Sequence, residues 1–196
     1  HRTEREERLA RAISRMTASQ RHKLLKIMGN PPKLEDVGPE YWNGHFEAWR
    51  GALTPELESI FVDSAELMLD DFPAFGVDWD LVFTEAADWA RQYGDTLVRN
   101  LDATTRRGVR DAVADFYEEG LNYRQLREKL GRWFGPSRAA TVATTETTRA
   151  AAEGERAVVK DLGRQGVRLI EIWQTNNDEL VCPICGPRHG QPKGSN

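Results

Sequence analysis

Residues 2–28, RTEREERLARAISRMTASQRHKLLKIM, decide the fold class of this chain. Apolar side chains recur in this stretch at three- and four-residue spacing with charged residues between them, and that period predicts one long amphipathic helix. The sequence Gly29-Asn30-Pro31-Pro32 follows directly. Because glycine favours a helix C-terminal cap and proline cannot continue a helix, we expect the helix to end there.

Three further helix starts are predicted downstream. Thr54-Pro55-Glu56 combines a hydroxyl N-cap, a proline at the first helical position and an acid in the first turn. It therefore predicts a helix start after an irregular or short-helical link over residues 31–52. A second start is predicted at Asp78 and a third near Asp102, and Gly120 is expected to close that third helix.

The C-terminal part of the chain predicts shorter elements. Asn122, with Gln125 three residues later, is a capping pair for a short helix. Another helix is predicted over residues 138–153, and a separate helical stretch after Gly154. Residues 167–173, VRLIEIW, are rich in β-branched and aromatic side chains and predict a strand.

These patterns together predict a mainly α protein: a multi-helix bundle with a long N-terminal helical arm and a small C-terminal β/Cys-knuckle subdomain. We expect a basic arm and linker over residues 1–50, a helical core over 51–153 and a truncated α+β knuckle over 154–196. Since a lone amphipathic helix is only marginally stable, residues 1–28 should pack back on the core or on another chain.

The formal net charge of -4 conceals an asymmetry along the chain. Residues 1–30 carry eight Lys and Arg against three acids, residues 31–95 three against fifteen, and residues 96–196 sixteen against thirteen. Because clustered cations bind phosphates, the first stretch is predicted to contact DNA or a protein partner, whereas the acidic middle should repel nucleic acid. The candidate contact residues are Arg2, Arg5, Arg8, Arg11 and Arg15.

The hydropathy and the ends of the sequence limit the class of protein to which this chain belongs. No run of eighteen apolar residues occurs, so no transmembrane helix is predicted. The chain starts with His1 and ends at Gly194-Ser195-Asn196. We therefore expect it to be a piece of a longer or processed protein.

Both cysteines lie in Cys182-Pro183-Ile184-Cys185, a spacing that fits half of a tetrahedral zinc site. His189 offers a third ligand, and no fourth Cys or His follows it. Three interpretations stay open: a zinc knuckle completed beyond Asn196 or by another chain, a structural pair of reduced cysteines, and a redox dithiol. With no second cysteine pair for a disulfide framework, the chain fits a reducing compartment.

Glu146 and Arg149 are one helical turn apart and are able to pair. Glu146 falls on the small apolar stripe of its helix, where a carboxylate is costly unless it is paired. A surface ion pair, a buried pair and a catalytic carboxylate are the alternatives. Further along, Trp173 is expected to pack into the core, and Asp178 to shape a turn or support a metal site.

The chain lacks the common catalytic motifs. Gly-rich phosphate loops, His-Glu-x-x-His and Gly-x-Ser-x-Gly are all absent. The alternative from the enzyme class is a zinc-dependent nuclease or toxin domain that uses Cys182, Cys185, His189 and Glu146. A third hypothesis is a DNA-binding module that uses the Arg-rich arm.

One series of residues carries a family resemblance. It comprises Arg138-Ala139-Ala140, Ala143, Glu146 and Arg149-Ala150, then Trp173, Thr175, Asp178, Val181-Cys182, Cys185 and Gly190, preceded by Trp89-Ala90, Tyr93 and Thr105-Arg106. The series resembles the tailed-phage head morphogenesis family, the Mu F-like minor capsid proteins, over roughly residues 50–190.

The resemblance implies a non-enzymatic virion or prophage component that works in head assembly and in DNA packaging or ejection. Its expected partners are the portal protein and other capsid proteins, with packaged DNA as a further partner and no small-molecule substrate. It would be made in the bacterial cytoplasm and reside in the phage head near the portal.

The resemblance also implies which residues shape the C-terminal knuckle: Glu146, Arg149, Trp173, Asp178, Cys182 and Cys185. Family members commonly continue past the knuckle to a further His and a Cys-Arg-Cys sequence. This chain stops before that point, so its zinc site, with Cys182, Cys185 and His189 as ligands, is expected to be incomplete.

Overall fold

The computed structural model describes residues 2–175 and 181–192, and this part of the chain is mainly helical. The described residues form five α-helices: α1 (Arg2–Met28), α2 (Pro39–Asp70), α3 (Trp79–Glu118), α4 (Tyr123–Phe134) and α5 (Pro136–Arg164). Short 3-10 turns occupy Leu34–Asp36 and Gly186–Arg188. None of the helices in residues 2–175 and 181–192 has the length and apolar character needed to cross a bilayer.

The chain forms two compact units, residues 1–158 and residues 159–196. The first unit has two hydrophobic clusters, and α1 contributes to both of them. The first cluster also draws on α2, α3 and α5, and it contains Leu9, Ile13, Trp49, Leu53, Leu57, Ile60, Ala90, Leu97, Val98, Ala139, Ala143 and Ala150. The second draws on α2, α3 and α4, and it contains Leu24, Met28, Tyr41, Trp42, Val109, Ala112, Val113, Leu126, Leu130 and Phe134.

The contacts of α1 show where the N-terminal helix lies. Leu9 and Leu24, fifteen residues apart in the sequence, are both fully buried against other helices of the first unit. The helix predicted over residues 2–28 is therefore confirmed, and it packs back on the helical body. Gly29 ends it with a φ of 71°, a conformation that glycine adopts without strain.

Helix α2 corrects the prediction of an irregular link over residues 31–52 and a start at Thr54-Pro55. The helix begins at Pro39 and runs through Pro55 without a break. An internal proline costs about 3 kcal/mol, because it removes a hydrogen bond and crowds the preceding turn. Trp49 and Leu57, on either side of Pro55, are both buried, and burying each such side chain stabilises the helix by about 1.5–3 kcal/mol.

Helix α3 confirms one predicted start and corrects another. The side chain of Asp78 caps the helix by accepting a hydrogen bond from the Leu81 amide at 3.2 Å. Asp102 starts no helix; it lies inside α3, where its carboxylate binds Arg106 Nε at 2.7 Å. Gly120, with a φ of 64°, follows the end of α3 as predicted.

Helix α4 has the predicted capping pair. The Gln125 amide donates to the Asn122 side chain at 3.1 Å, and the Asn122 amide donates to the Gln125 side chain at 2.9 Å. The cap satisfies two backbone donors that a helix start leaves free.

Helix α5 corrects the predicted break at Gly154, since it continues to Arg164. A Cβ atom at position 154 would overlap the carbonyl oxygen of Phe61 and crowd the Ala65 amide. The glycine therefore allows the backbones of α5 and α2 to touch, and it does not end a helix.

The predicted β part of the C-terminal subdomain is wrong for the described residues. Residues 167–173 form no strand, and the pairing is one isolated antiparallel bridge between Ile172 and Pro192. Ile170 and Ile172 are 74% and 59% exposed. β-branched side chains favour strands only where a neighbouring strand covers them, and the described chain supplies none.

Replacing Gly154 by alanine is expected to destabilise the first unit by about 1–3 kcal/mol, because the added methyl forces α5 away from α2. The matched control is Gly163→Ala in the same helix, where a Cβ meets nothing within 4 Å. That control should be neutral or stabilising, since alanine is the better helix former. Urea unfolding followed by circular dichroism measures both variants, and equal stabilities would contradict the proposed backbone contact.

Candidate functional site

Glu146 lies at the centre of a polar contact inside the first unit. Its side chain is only 6% exposed, on the face of α5 that packs against the core. Tyr93 of α3 donates its hydroxyl hydrogen to Glu146 Oε2 at 2.7 Å. Arg149 Nε lies 3.5 Å from the same oxygen, and the Arg149 side chain is 49% exposed, so a buried carboxylate pairs with a half-exposed guanidinium.

Aromatic rings extend this contact towards α2. The Trp89 and Tyr93 rings are stacked, with centroids 5.1 Å apart and planes inclined by 8°. Phe61 of α2 lies 5.8 Å from the Trp89 ring. The Arg149 guanidinium carbon lies 4.9 Å above the Tyr93 ring centroid, a cation–π distance.

We call Phe61, Trp89, Tyr93, Glu146 and Arg149 the Glu146 cluster. Burial, followed by the hydrogen bond to Glu146 and its charge, raises the pKa of Tyr93 above its ordinary value. The phenol therefore stays protonated and continues to donate at physiological pH. The cluster therefore joins α3 and α5 through the contact between Tyr93 and Glu146.

Arg138 makes a second junction between helices. One guanidinium nitrogen donates to Thr105 Oγ1 at 2.9 Å and to the Trp133 carbonyl at 2.7 Å. The other donates to Thr104 Oγ1 at 2.8 Å and to the Leu101 carbonyl at 3.3 Å. No local spacing rule marks this arrangement; its only sequence signal is the place of Arg138 at the head of the series that carries the family resemblance.

The two cysteines share one tight turn in the second unit. The amides of Cys185 and Gly186 both donate to the Cys182 carbonyl at 3.0 Å, and the Cys185 amide also lies 3.3 Å from Cys182 Sγ. The thiol of Cys185 and nearby backbone amides lower the pKa of Cys182. Hydrogen bonds from backbone amides to sulfur favour a thiolate, the form that binds zinc.

His189 is oriented by Thr175 in the same unit. Its Nδ1 lies 3.1 Å from both the amide nitrogen and the hydroxyl of Thr175. Since the amide donates, Nδ1 acts as an acceptor and the ring proton belongs on Nε2. In this arrangement neither nitrogen is free for a metal, and His189 would have to release Thr175 to become a ligand.

Trp173 anchors the same short loop. Its amide donates to the Gln191 carbonyl and its carbonyl accepts from the Gly190 amide, both at 2.8 Å. The ring is 44% exposed, with the Arg188 guanidinium carbon 5.9 Å from its centroid, so the expected core position is not observed. Asp178, the remaining signature residue, lies outside the described residues.

The arginines predicted to contact DNA or a partner differ in their surroundings. Arg5 Nε lies 3.0 Å from Asp63 and Arg8 Nε 3.5 Å from Glu56, so both bind acids of α2. Arg11 and Arg15 are exposed, and Arg11 pairs with Glu7 on its own helix. The side chain of Arg2 is outside the described part of the chain.

Sequence reasoning missed a second group of cations. Arg21 of α1 donates to the Arg127 carbonyl of α4 at 2.6 Å, and both residues line an open groove of about 460 Å³ together with His22. The groove depends on side chains more than a hundred residues apart, which no spacing rule connects. The only signal in the sequence is that residues 8–28 carry no acid.

Comparison with protein-family models, with curated proteins and with solved structures found no match. Within residues 2–175 and 181–192, no group of three or more His, Cys, Asp and Glu side chains is placed to hold a metal ion.

Removing the Tyr93 hydroxyl by Tyr93→Phe is expected to cost about 1–3 kcal/mol of unfolding free energy, because the buried carboxylate loses a charge-assisted hydrogen bond. Tyr123→Phe is the control, since the Tyr123 hydroxyl makes no hydrogen bond within the described residues. Urea unfolding of Tyr93→Phe, Glu146→Gln and the double variant measures the coupling between the two groups. Additive losses would show that the two side chains do not act as a pair.

Proposed function

We propose that this chain is a minor head protein of a tailed phage that binds the portal and other capsid proteins during head assembly and DNA packaging or ejection. One observation carries the proposal. Trp89 and Tyr93 belong to one part of the series that resembles the Mu F-like proteins, and Glu146 and Arg149 belong to another. These residues, more than fifty positions apart, meet in the Glu146 cluster.

The way the site residues are engaged also supports a binding role. Glu146 is occupied by Tyr93 and Arg149, and His189 by Thr175. An acid–base catalyst needs a group that is free to reach a substrate proton, so this arrangement favours the binding function over the nuclease or toxin alternative.

Packaged DNA is a proposed second partner. Arg5 and Arg8 are paired with acids of α2, whereas Arg15 is exposed on α1 and Arg21 and Arg127 line an open groove, so these three arginines are the proposed phosphate contacts. Such contacts would be independent of base sequence and weakened by salt. The proposed location is the phage head near the portal, after synthesis in the bacterial cytoplasm.

Cys182 and Cys185 are proposed to be ligands of a zinc ion. The shared turn and the amide donors at Cys182 Sγ fit half of a zinc knuckle, in which the ion would hold the loop closed. His189 is the candidate third ligand if it leaves Thr175, and the remaining ligands would come from outside the described residues.

Co-expression with a portal protein encoded in the same genome is expected to give a complex that elutes as one peak in size-exclusion chromatography. An unrelated protein of similar size and charge, co-expressed in the same way, is the specificity control. Failure to co-elute with the portal protein, combined with metal-dependent DNA cleavage that Cys182→Ser abolishes, would replace the proposed function with the enzyme alternative.

Because only half of a site is described, we expect weak binding: after equilibration with zinc under reducing conditions, elemental analysis should show uptake by the wild-type chain that is lost in Cys182→Ser and in Cys185→Ser. His22→Gln, a histidine of the first unit, is the control and should retain the metal. His189→Gln distinguishes a third ligand from a residue that only anchors the loop. Equal zinc content in wild type and both cysteine variants would contradict the assignment.

A further inference from the structure

An open groove of about 540 Å³ runs between the C-terminal half of α2 and the middle of α5. Leu67 and Met68 line it from α2, and Ala151 and Ala152 line it from α5. Leu67 is 44% exposed. We call this feature the α2–α5 groove; its apolar lining includes two alanines, which leave room for another backbone to approach closely.

Thr147 gives the groove an unsatisfied polar group. Thr147 lines the groove and is 1% exposed, and its hydroxyl has no hydrogen-bond partner. Three other threonines of α5 satisfy theirs by donating to the carbonyl four residues before: Thr141, Thr145 and Thr148. A buried hydroxyl without a partner is costly, so the position favours a ligand that brings its own hydrogen-bonding group.

The edge of the groove is acidic. Asp71 and Glu155 line it, and Glu66 and Asp70 line an adjoining depression that shares Arg5 and Leu67 with it. None of these four acids has an ion-pair partner within residues 2–175 and 181–192. The rim therefore presents uncompensated negative charge beside apolar surface.

These features select one class of occupant. A groove between two packed helices accepts the ridge of a third helix, with its apolar face inward and its polar flanks over the rim. Complementary charge requires Lys or Arg on those flanks, whereas DNA and anionic lipid would be repelled.

We propose that the α2–α5 groove binds one cationic amphipathic helix of a partner protein. The proposal deepens the proposed function, since it rests on a role that consists of holding partner proteins and names the surface that holds one. Ser64 to Asp71 spans two helical turns, so the bound segment needs about three turns to cover it.

The binding test uses a synthetic peptide of about four turns with Leu and Ala along one face and Lys on both flanks. The matched control peptide carries Glu in place of every Lys. Fluorescence anisotropy with the full chain should show binding of the Lys peptide that weakens with salt, and at least about tenfold weaker binding of the Glu peptide. Equal binding of both peptides would overturn the proposal.

Two double variants locate the site. Asp71→Asn/Glu155→Gln removes the two acids that line the groove and should weaken binding of the Lys peptide by about tenfold. Asp36→Asn/Glu118→Gln removes two exposed acids that do not line the groove, and it should leave the affinity within about twofold. Equal losses in both double variants would show general charge attraction and would overturn the groove assignment.

Filling the groove is an independent check. Ala152→Phe should abolish peptide binding while circular dichroism shows an intact helical fold. Leu67→Ser, which removes an apolar side chain from the groove, should reduce binding and serves as the test if Ala152→Phe does not fold. Peptide binding that survives Leu67→Ser unchanged would overturn the proposal. The peptide assays contain no portal protein. A negative peptide result therefore contradicts the groove proposal alone, whereas failure to co-elute with the portal protein contradicts the proposed function.

Discussion

The contact between Gly154 and the backbone of Phe61 is the constraint on which the rest of the first unit depends. It lets α5 lie directly on α2, where any side chain at position 154 would separate them. The Phe61 ring packs on Trp89, which stacks on Tyr93, and Tyr93 in turn binds Glu146 of α5. One close approach therefore fixes α2, α3 and α5 relative to one another, and it sets the apolar lining and the hydroxyl of the α2–α5 groove beside them.

Local sequence rules predicted the ends of helices well where the residues that start or end a helix lie within one turn of each other. Gly29, Asp78 and the Asn122–Gln125 cap occupy the predicted places, because each feature depends on residues within one turn. The same rules failed at Pro55 and Gly154. At both positions the deciding interaction comes from another helix. Burial of residues such as Trp49 and Leu57 outweighs the cost of Pro55 inside α2. Gly154 is explained by its contact with the backbone of α2. The strand over residues 167–173 failed for a related reason: propensity without a partner strand leaves its isoleucines exposed.

The candidate site could be predicted in part. Spacing predicted that Glu146 and Arg149 are able to pair, because they lie one turn apart on one helix, and it left a surface pair, a buried pair and a catalytic carboxylate open. Tyr93, the strongest partner of the carboxylate, is fifty-three residues away and carries no local signal. The α2–α5 groove was not predictable at all, because its apolar lining and its acidic rim come from positions in two helices that only the packed structure brings side by side.

The charge asymmetry of the sequence has two different physical roles in the structure. Asp63 and Glu56 of α2 face Arg5 and Arg8 of α1, so part of the acidic middle holds the basic N-terminal helix in place. Glu66 and Asp70 lie beyond that seam and keep their charge uncompensated by any described cation. A charge count treats these acids alike. It predicts that polyanions are repelled, but it does not show which part of the surface would attract a cationic partner. Beside the α2–α5 groove, Glu66 and Asp70 adjoin apolar surface, so the charge that would keep DNA away from this part of α2 is also the charge that would draw a cationic helix to it.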